Sequence, residues 1–396
     1  MQSLNDLSID LKTNENVSMT KQSLNARFNE QGVTFLKSFI AEFIKRQIGN
    51  NQILFRKLGN FKKLLIKDST SFQIHESMAT MFPGSGGAGS KAAVRIQFEY
   101  DLLSGQVTDL SIGPFNKQDL TDAKETVDKV EEGALILRDM GYISVDVLQS
   151  INNRAAFYLG RLHSETTVYM QEGQEIVKVD FKKIQRKMKK QGIKQMEIQV
   201  YISEQKLPVR MIIYTLPDEV IEPRQRKARR NAQKKGRQIS KQYLIRSRFN
   251  LFITNLSPEQ LSVENAWQLY RMRWQIELVF KVWKSVCRIA HVKKVNVYRL
   301  QAYIYATLLF ILVAWHIYWG INLHMENKHK KTLSFMKVFK TIQQQSSKLK
   351  DAVREGAIKI SAFLKELSDI SVKYHLLEIK KRDCKNPLYA LNIIAL

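Results

Sequence analysis

Ala134-Leu135-Ile136-Leu137-Arg138-Asp139-Met140-Gly141-Tyr142 reads as a short apolar strand that ends in an acid and runs into a turn. Helical segments flank it, at 119–130 before and around 144–152 after, and a further strand follows at 155–162. Upstream, 63–69, 92–103 and 106–112 read as three more strands. The stretch DLLSGQ at 101–106 supplies the hairpin turn between the last two. Three antiparallel strands followed by alternating helices and strands predict a mixed α/β sheet.

Farther out the pattern changes. Residues 1–60 are polar, then helical: Thr20 or Ser23 can cap a helix whose apolar face holds Phe28, Val33, Phe35, Leu36, Phe39, Ile40 and Phe43. Beyond His163, strand-like segments at 165–170, 175–181, 195–203, 207–216 and 243–254 predict a mainly β insertion. Between Pro223 and Pro258 there is no acid, while eleven Lys and Arg occur, Arg229 and Arg230 among them. Such a run is either a solvated loop or an arm that contacts a phosphate backbone. From Ser257 the chain reads as helix through Gly320, and the tail from Lys328 is helical and mixed in charge. The expected division is a helical region at 1–60, a first core part at 61–164, the basic β-rich insertion at 165–256, a second core part at 257–320 and a helical region at 321–396.

The 396 residues, 44% of them hydrophobic, can bury a sizeable core, so the chain is no disordered basic tail. A formal charge of +26 points to a polyanionic partner, nucleic acid first and an acidic membrane surface second. Two cysteines, Cys287 and Cys384, are too few for a disulfide framework or a Cys-rich zinc site, and fit a reducing, cytoplasmic setting. The N-terminus lacks the apolar core of a signal peptide. Residues 300–320 are long and apolar enough to cross a bilayer, yet they follow directly on a basic polar helix, which favours a buried core helix and no membrane.

That basic helix carries the most chemistry. At about 100° per residue, Arg273, Glu277 and Lys284 fall roughly 60°, 20° and 40° behind Tyr270, so one stripe holds a phenol, two cations and a carboxylate. Trp274, Leu278, Val279 and Val282 can anchor the helix, while Arg271, Lys281 and Arg288 add positive charge around Glu277. Two further acids stand out by position. Asp68 follows the apolar run 64–66, where an acid is costly unless it binds something, and Asp139 ends its strand, a common place for active-site groups in α/β sheets. If their strands are neighbours, these two can share a metal and Glu277 can reach a second, which gives an all-oxygen donor set of the kind Mg²⁺ prefers. The plainer readings are an Asp that caps a helix or forms a turn, and a Glu277 in a solvated ion pair with Arg273 or Lys281. Asp101, Asp109 and Asp146 compete on local pattern. The histidines show no metal-ligand spacing, and the glycine-rich run 83–91 leads into a strand rather than a helix, which excludes a nucleotide phosphate loop.

Tyr270, Arg273, Glu277 and Lys284 reproduce the Tyr-x2-Arg-x3-Glu-x6-Lys signature, and the chain resembles bacterial DDE transposases of the insertion-sequence-four group. The segments Lys67-Asp68-Ser69-Thr70 and Arg138-Asp139-Met140-Gly141-Tyr142 resemble those that carry the family's first two catalytic acids. The resemblance implies an RNase H-like catalytic domain interrupted by an insertion, with helical N- and C-terminal parts. It implies cleavage at transposon ends and strand transfer into target DNA, with Mg²⁺, or Mn²⁺ in its place, held by Asp68, Asp139 and Glu277. Tyr270, Arg273 and Lys284 would then grip phosphates of double-stranded DNA, joined by Arg271, Lys281, Arg229 and Arg230, and cutting two ends in one event implies a homodimer. Some relatives stack an insertion aromatic on a flipped base; here the insertion has no Trp, and Tyr243 or Phe249 is the substitute. Only 67 residues precede Asp68, fewer than in many of the group, so the expectation is either a shortened copy or end recognition by fewer elements. The competing expectations are a transposase-derived protein that binds DNA without transposing, and a membrane-anchored basic protein.

Overall fold

The computed structural model describes residues 1–47, 61–86, 89–329 and 331–377; Cys384 and the end of the expected helical tail lie outside them. In chain order, three helices, α1 (Leu4–Glu15), α2 (Lys21–Ala26) and α3 (Glu30–Lys45), precede β1 (Lys63–Gln73), β2 (Ala93–Asp101) and β3 (Val107–Pro114). Next come α4 (Asp119–Thr126), β4 (Ala134–Arg138), α5 (Val145–Asn153) and β5 (Phe157–Arg161). The segment expected as the insertion holds β6 (Val168–Glu172), β7 (Glu175–Lys178), α6 (Phe181–Lys190), β8 (Gln195–Ile202), β9 (Leu207–Thr215), α7 (Asp218–Lys234), α8 (Lys241–Arg246) and β10 (Phe249–Thr254). Six helices follow: α9 (Val263–Arg271), α10 (Gln275–Ser285), α11 (Val297–His329), α12 (Phe335–Gln344), α13 (Ser346–Glu355) and α14 (Ala357–Tyr374). The fold is therefore mixed α/β, as the alternation around Asp139 predicts.

The chain divides into two compact units. One comprises Met1–Phe55, Asp68–Lys117 and Trp274–Leu396, the other Arg56–Lys67 and Gln118–Arg273. In the second unit the strand order is β1-β4-β5-β10-β9-β8-β6-β7. β4 lies parallel to β1, from Lys63 opposite Ala134 to Lys67 opposite Arg138, and parallel to β5 on its other side. Every residue of β4 is buried, and Ala123, Val127, Val147, Leu148 and Ile151 of the neighbouring helical segments join its core. β10 runs antiparallel to both β5 and β9, so the strands of 165–256 continue the sheet.

Three helices lie in that segment where only strands and a loop are expected from sequence. α6 is capped by Asp180 and buries Phe181, Ile184 and Met188, a helical spacing hidden among six cations. The basic run is not a loop: its first half belongs to α7, whose first turn carries Asp218 and Glu219 at the end where negative charge is favoured. Residues 243–246, expected as the start of a strand, belong instead to α8, capped by Ser240. The helix expected over 257–320 is also broken, by a 3-10 turn at Met272–Trp274 and by a non-helical stretch between α10 and α11.

In the first unit β2 and β3 form the expected hairpin. Its turn needs Gly105, which has φ +74° and lies so close to Trp319 that a Cβ would sit 2.5 Å from the indole. Trp315 of α11 donates its Nε1 hydrogen to the Gly105 carbonyl at 2.6 Å and packs edge-on against Phe98 and Tyr100 of β2. Residues 300–320 thus lie in a helix whose buried stripe, Leu300, Ile304, Leu308, Ile311 and Trp315, packs inside this unit, chiefly against α3. α3 itself differs from expectation. Asn29 caps it, Thr20 caps the separate α2, and Phe35 and Phe39 face solvent at 65% and 46% exposure, while Val33 and Ile40 are buried.

One buried acid of this unit sets a pH dependence. Glu326 accepts hydrogen bonds from Asn322 and Thr332 on one oxygen, and burial pushes its pKa up to about 7. The folded protein therefore holds a proton between the ordinary carboxylate range and about pH 7 that the unfolded chain has released. Stability falls as pH rises through that window and levels off above it. Glu326→Gln keeps the acceptor and removes the charge; it is expected to stabilise the protein by about 1–3 kcal/mol at pH 8 and to have little effect at pH 5. Urea unfolding at the two pH values measures this, and an equal effect at both would refute it.

Candidate active site

The second unit places Asp139 directly after β4, at the cap position of a 3-10 turn, Met140–Tyr142. Its side chain makes no capping hydrogen bond, so the helix-cap explanation of this acid does not apply. Asp139 Oδ1 instead accepts a hydrogen bond from the Tyr270 hydroxyl at 3.3 Å. Tyr270, at the end of α9, is 7% exposed and its ring packs on Phe252 of β10, at 5.0 Å between centroids. Burial, and next the Asp139 charge, push its pKa up to about 12, against the opposing pull of Arg273 and Arg161. The Arg273 guanidinium lies 5.9 Å from the same ring. Sequence spacing alone does not reveal that Tyr270 orients Asp139.

The last paired residues of β1 and β4 are Lys67 and Arg138, and each is followed in the chain by one of the candidate acids. Lys67 is fully buried. Its ammonium pairs with Asp122 of α4 at 2.5 Å and donates to Thr126 at 3.2 Å, so the residue before Asp68 is fixed from behind the sheet.

The first unit holds Asp68, Glu277 and Lys284. Asp68 lies inside β1 and its Oδ1 accepts from the Ser69 backbone at 2.8 Å. α10 is anchored by Ile276, Val279, Phe280, Val282 and Trp283, the last of which meets Phe98 edge-on at 4.9 Å. Trp274 and Leu278, expected as anchors, are exposed instead, Trp274 to 63%: Trp274 is the last residue of the 3-10 turn, and Leu278 follows one helical turn later on the same side, away from the buried Ile276, Val279, Phe280 and Trp283. Lys284 donates to the Ser71 carbonyl of β1 at 2.9 Å, and burial lowers its pKa. Glu277 lies two turns before Lys284 and Asp68 three residues before Ser71, about 10 Å back along each element. Glu277 and Lys281 are exposed, and Arg271 is half-buried in the second unit.

The competing acids have other engagements. Asp101 accepts from Leu103 N and from the Ser104 hydroxyl in the β2–β3 turn, and Asp146 pairs with Lys124 at 3.3 Å on the surface. Asp109 sits on β3 opposite Glu99. Among the described residues no group of three or more His, Cys, Asp or Glu is close enough to hold a metal. The donor chemistry of Asp68, Asp139 and Glu277, carboxylates without thiolate or imidazole, suits a hard divalent cation. Of the insertion cations, Arg229 and Arg230 are exposed on α7, whereas Arg224 and Arg246 turn inward. Phe249 is buried at the start of β10, which removes it as a stacking surface.

A profile described as the transposase DDE domain matches residues 59–313. The chain is 30% identical over 370 residues to the transposase for insertion sequence element IS231B of Bacillus thuringiensis subsp. berliner, covering 90% of this chain and 77% of that protein. It is 28% identical over 393 residues to the transposase for insertion sequence element IS1151 of Clostridium perfringens, covering 96% and 83%. A match over most of the described core, together with relatives aligned over most of both lengths, shows that the chain belongs to the DDE-domain transposases of bacterial insertion sequences.

Proposed function

We propose that the protein cuts DNA at the ends of its own insertion element and joins the freed 3′ ends to target DNA, using Asp68, Asp139 and Glu277 as ligands for Mg²⁺, or Mn²⁺ in its place. Its core would be RNase H-like, interrupted by the segment 165–256. The observation that carries this reading is the β1/β4 register, which ends at Lys67 and Arg138 with an acid next in the chain after each. Bound Mg²⁺ would supply an activated water or 3′-hydroxyl and charge stabilisation of the leaving oxygen. The chain's own groups have separate tasks. Tyr270 fixes the rotamer of Asp139, and Lys67, held by Asp122, fixes the backbone before Asp68. Arg273 and Lys284, with Arg271, Lys281, Arg229 and Arg230, would contact phosphates. A homodimer in the cytoplasm, acting on two ends at once, completes the reading.

The test is cleavage of a duplex that carries the element's terminal sequence, taken from the DNA flanking the coding sequence. Strand cleavage is expected with Mg²⁺, and its loss on chelation with recovery on adding the metal back. Binding without cleavage under any divalent cation would overturn the enzymatic reading in favour of a DNA-binding relative.

A further inference from the structure

Three arginines of the second unit, Arg161 at the end of β5, Arg224 on α7 and Arg246 at the end of α8, line one cavity of about 150 Å³ together with Met140 and Tyr243. A single water needs only roughly 10–15 Å³. The guanidiniums are held in place by neutral groups. Arg224 Nη1 donates to the carbonyls of Ser247 and Phe249 at 3.1 and 3.2 Å, and Arg246 donates to those of Thr166 and His163 at 2.7 and 3.0 Å. The remaining Nη2 groups of Arg161 and Arg224 converge on one acceptor, the buried Asn250 Oδ1, at 3.4 and 3.5 Å, and Arg246 Nε is buried with no partner. Carbonyls fix orientation without neutralising charge.

No carboxylate among the described residues pairs with any of the three. The contrast within the same unit is Arg210, which is more deeply buried than these three half-buried arginines and has Glu197 as counter-charge besides the carbonyls of Leu256, Ser257 and Leu261. Burial, and next the charge of Arg161, lower the pKa of Arg224, and burial alone pushes that of Arg246 down to about 10. Pre-oriented guanidiniums with unused donors and no counter-charge match an oxyanion, and phosphate best of all, since it can accept from several forks at once.

Two placements identify the source of that phosphate. Met140, the neighbour of Asp139, lines the cavity, and on α7 the cations Arg226, Lys227, Arg230 and Lys234 line a separate surface groove. We infer that the cavity takes one backbone phosphate of a DNA strand, held by Arg161, Arg224 and Arg246. The identity of the strand as DNA rests on the proposed function; the anion site itself does not.

The test uses the full chain without added metal, binding a duplex of the element's terminal sequence by fluorescence anisotropy across a KCl series. Arg161→Gln/Arg224→Gln is expected to flatten the slope of log affinity against log salt by about 0.9, the value of one phosphate contact. Lys365→Gln, an exposed residue of α14, should leave the slope unchanged. An unchanged slope in a folded double variant overturns the inference. So does a thermal stabilisation by inorganic phosphate, at constant ionic strength, that the double variant loses while its DNA slope stays the same; the site would then belong to a free phosphate. Arg161→Gln, which gives up one long hydrogen bond, keeps the test open if the double variant does not fold. Cleavage plays no part in the measurement, so binding with the expected change of slope in a protein that never cuts leaves this site standing while the proposed chemistry falls.

Discussion

Asp139→Asn is expected to lower strand cleavage by about 10³-fold or more, equivalent to roughly 4 kcal/mol of transition-state stabilisation, with DNA affinity and folding little changed. The substitution is nearly isosteric, and an asparagine carbonyl can still accept from the Tyr270 hydroxyl, so the orienting contact survives. What disappears is the negative charge, and with it the capacity to hold a hard cation. Glu277→Gln, on the exposed face of α10, is expected to behave the same way, because the buried anchors of that helix are untouched. Asp146→Asn is the control: Asp146 makes an exposed pair with Lys124, and activity should stay within about twofold. Single-turnover cleavage of end DNA measures all three. Activity of Asp139→Asn equal to that of the unmodified protein would remove Asp139 from the site.

Asp122→Ala is expected to destabilise the protein by about 3–5 kcal/mol, since it removes the carboxylate that faces the fully buried Lys67 ammonium at 2.5 Å. Replacing both members, as in Lys67→Met/Asp122→Leu, should recover most of that loss, because a buried pair contributes little beyond its apolar equivalent. Glu172→Ala, which breaks the exposed pair with Lys183, should cost less than about 1 kcal/mol. Urea denaturation separates the three. A loss below about 1 kcal/mol for Asp122→Ala would show that the pair is hydrated. Because Lys67 directly precedes Asp68, the same variant should also cut less DNA under conditions where it remains folded.

The sequence was most readable where hydrophobicity and turn chemistry agree. The run 134–138 is bounded by a glycine turn and an acid, and the segments beside it are amphipathic, so β4 and α5 emerge nearly to the residue. α6 and α7 were hidden because their cations outnumber their buried residues: α7 buries Ile221 alone. A stripe from Tyr270 to Lys284 requires one continuous helix, which the 3-10 turn at Met272–Trp274 interrupts. The pairing of Lys67 escapes the sequence because Asp122 lies on a helix far along the chain, and no local pattern joins them. The arginine cavity is of the same kind. Arg161, Arg224 and Arg246 come from three separate elements, and in sequence two of them are indistinguishable from the rest of a basic run.

The position of β10 between β5 and β9 has a consequence for synthesis on the ribosome. β5 emerges with one edge already able to pair with β4, while its other edge must wait for residues 249–254, which follow the whole segment 162–248. At roughly 5–20 residues per second, that edge stays open for on the order of ten seconds, presenting unpaired backbone groups to any neighbouring nascent chain. The intervening segment is rich in lysine and arginine, so two such chains repel each other during that interval, and the charge that suits a polyanion also guards the unfinished sheet against association.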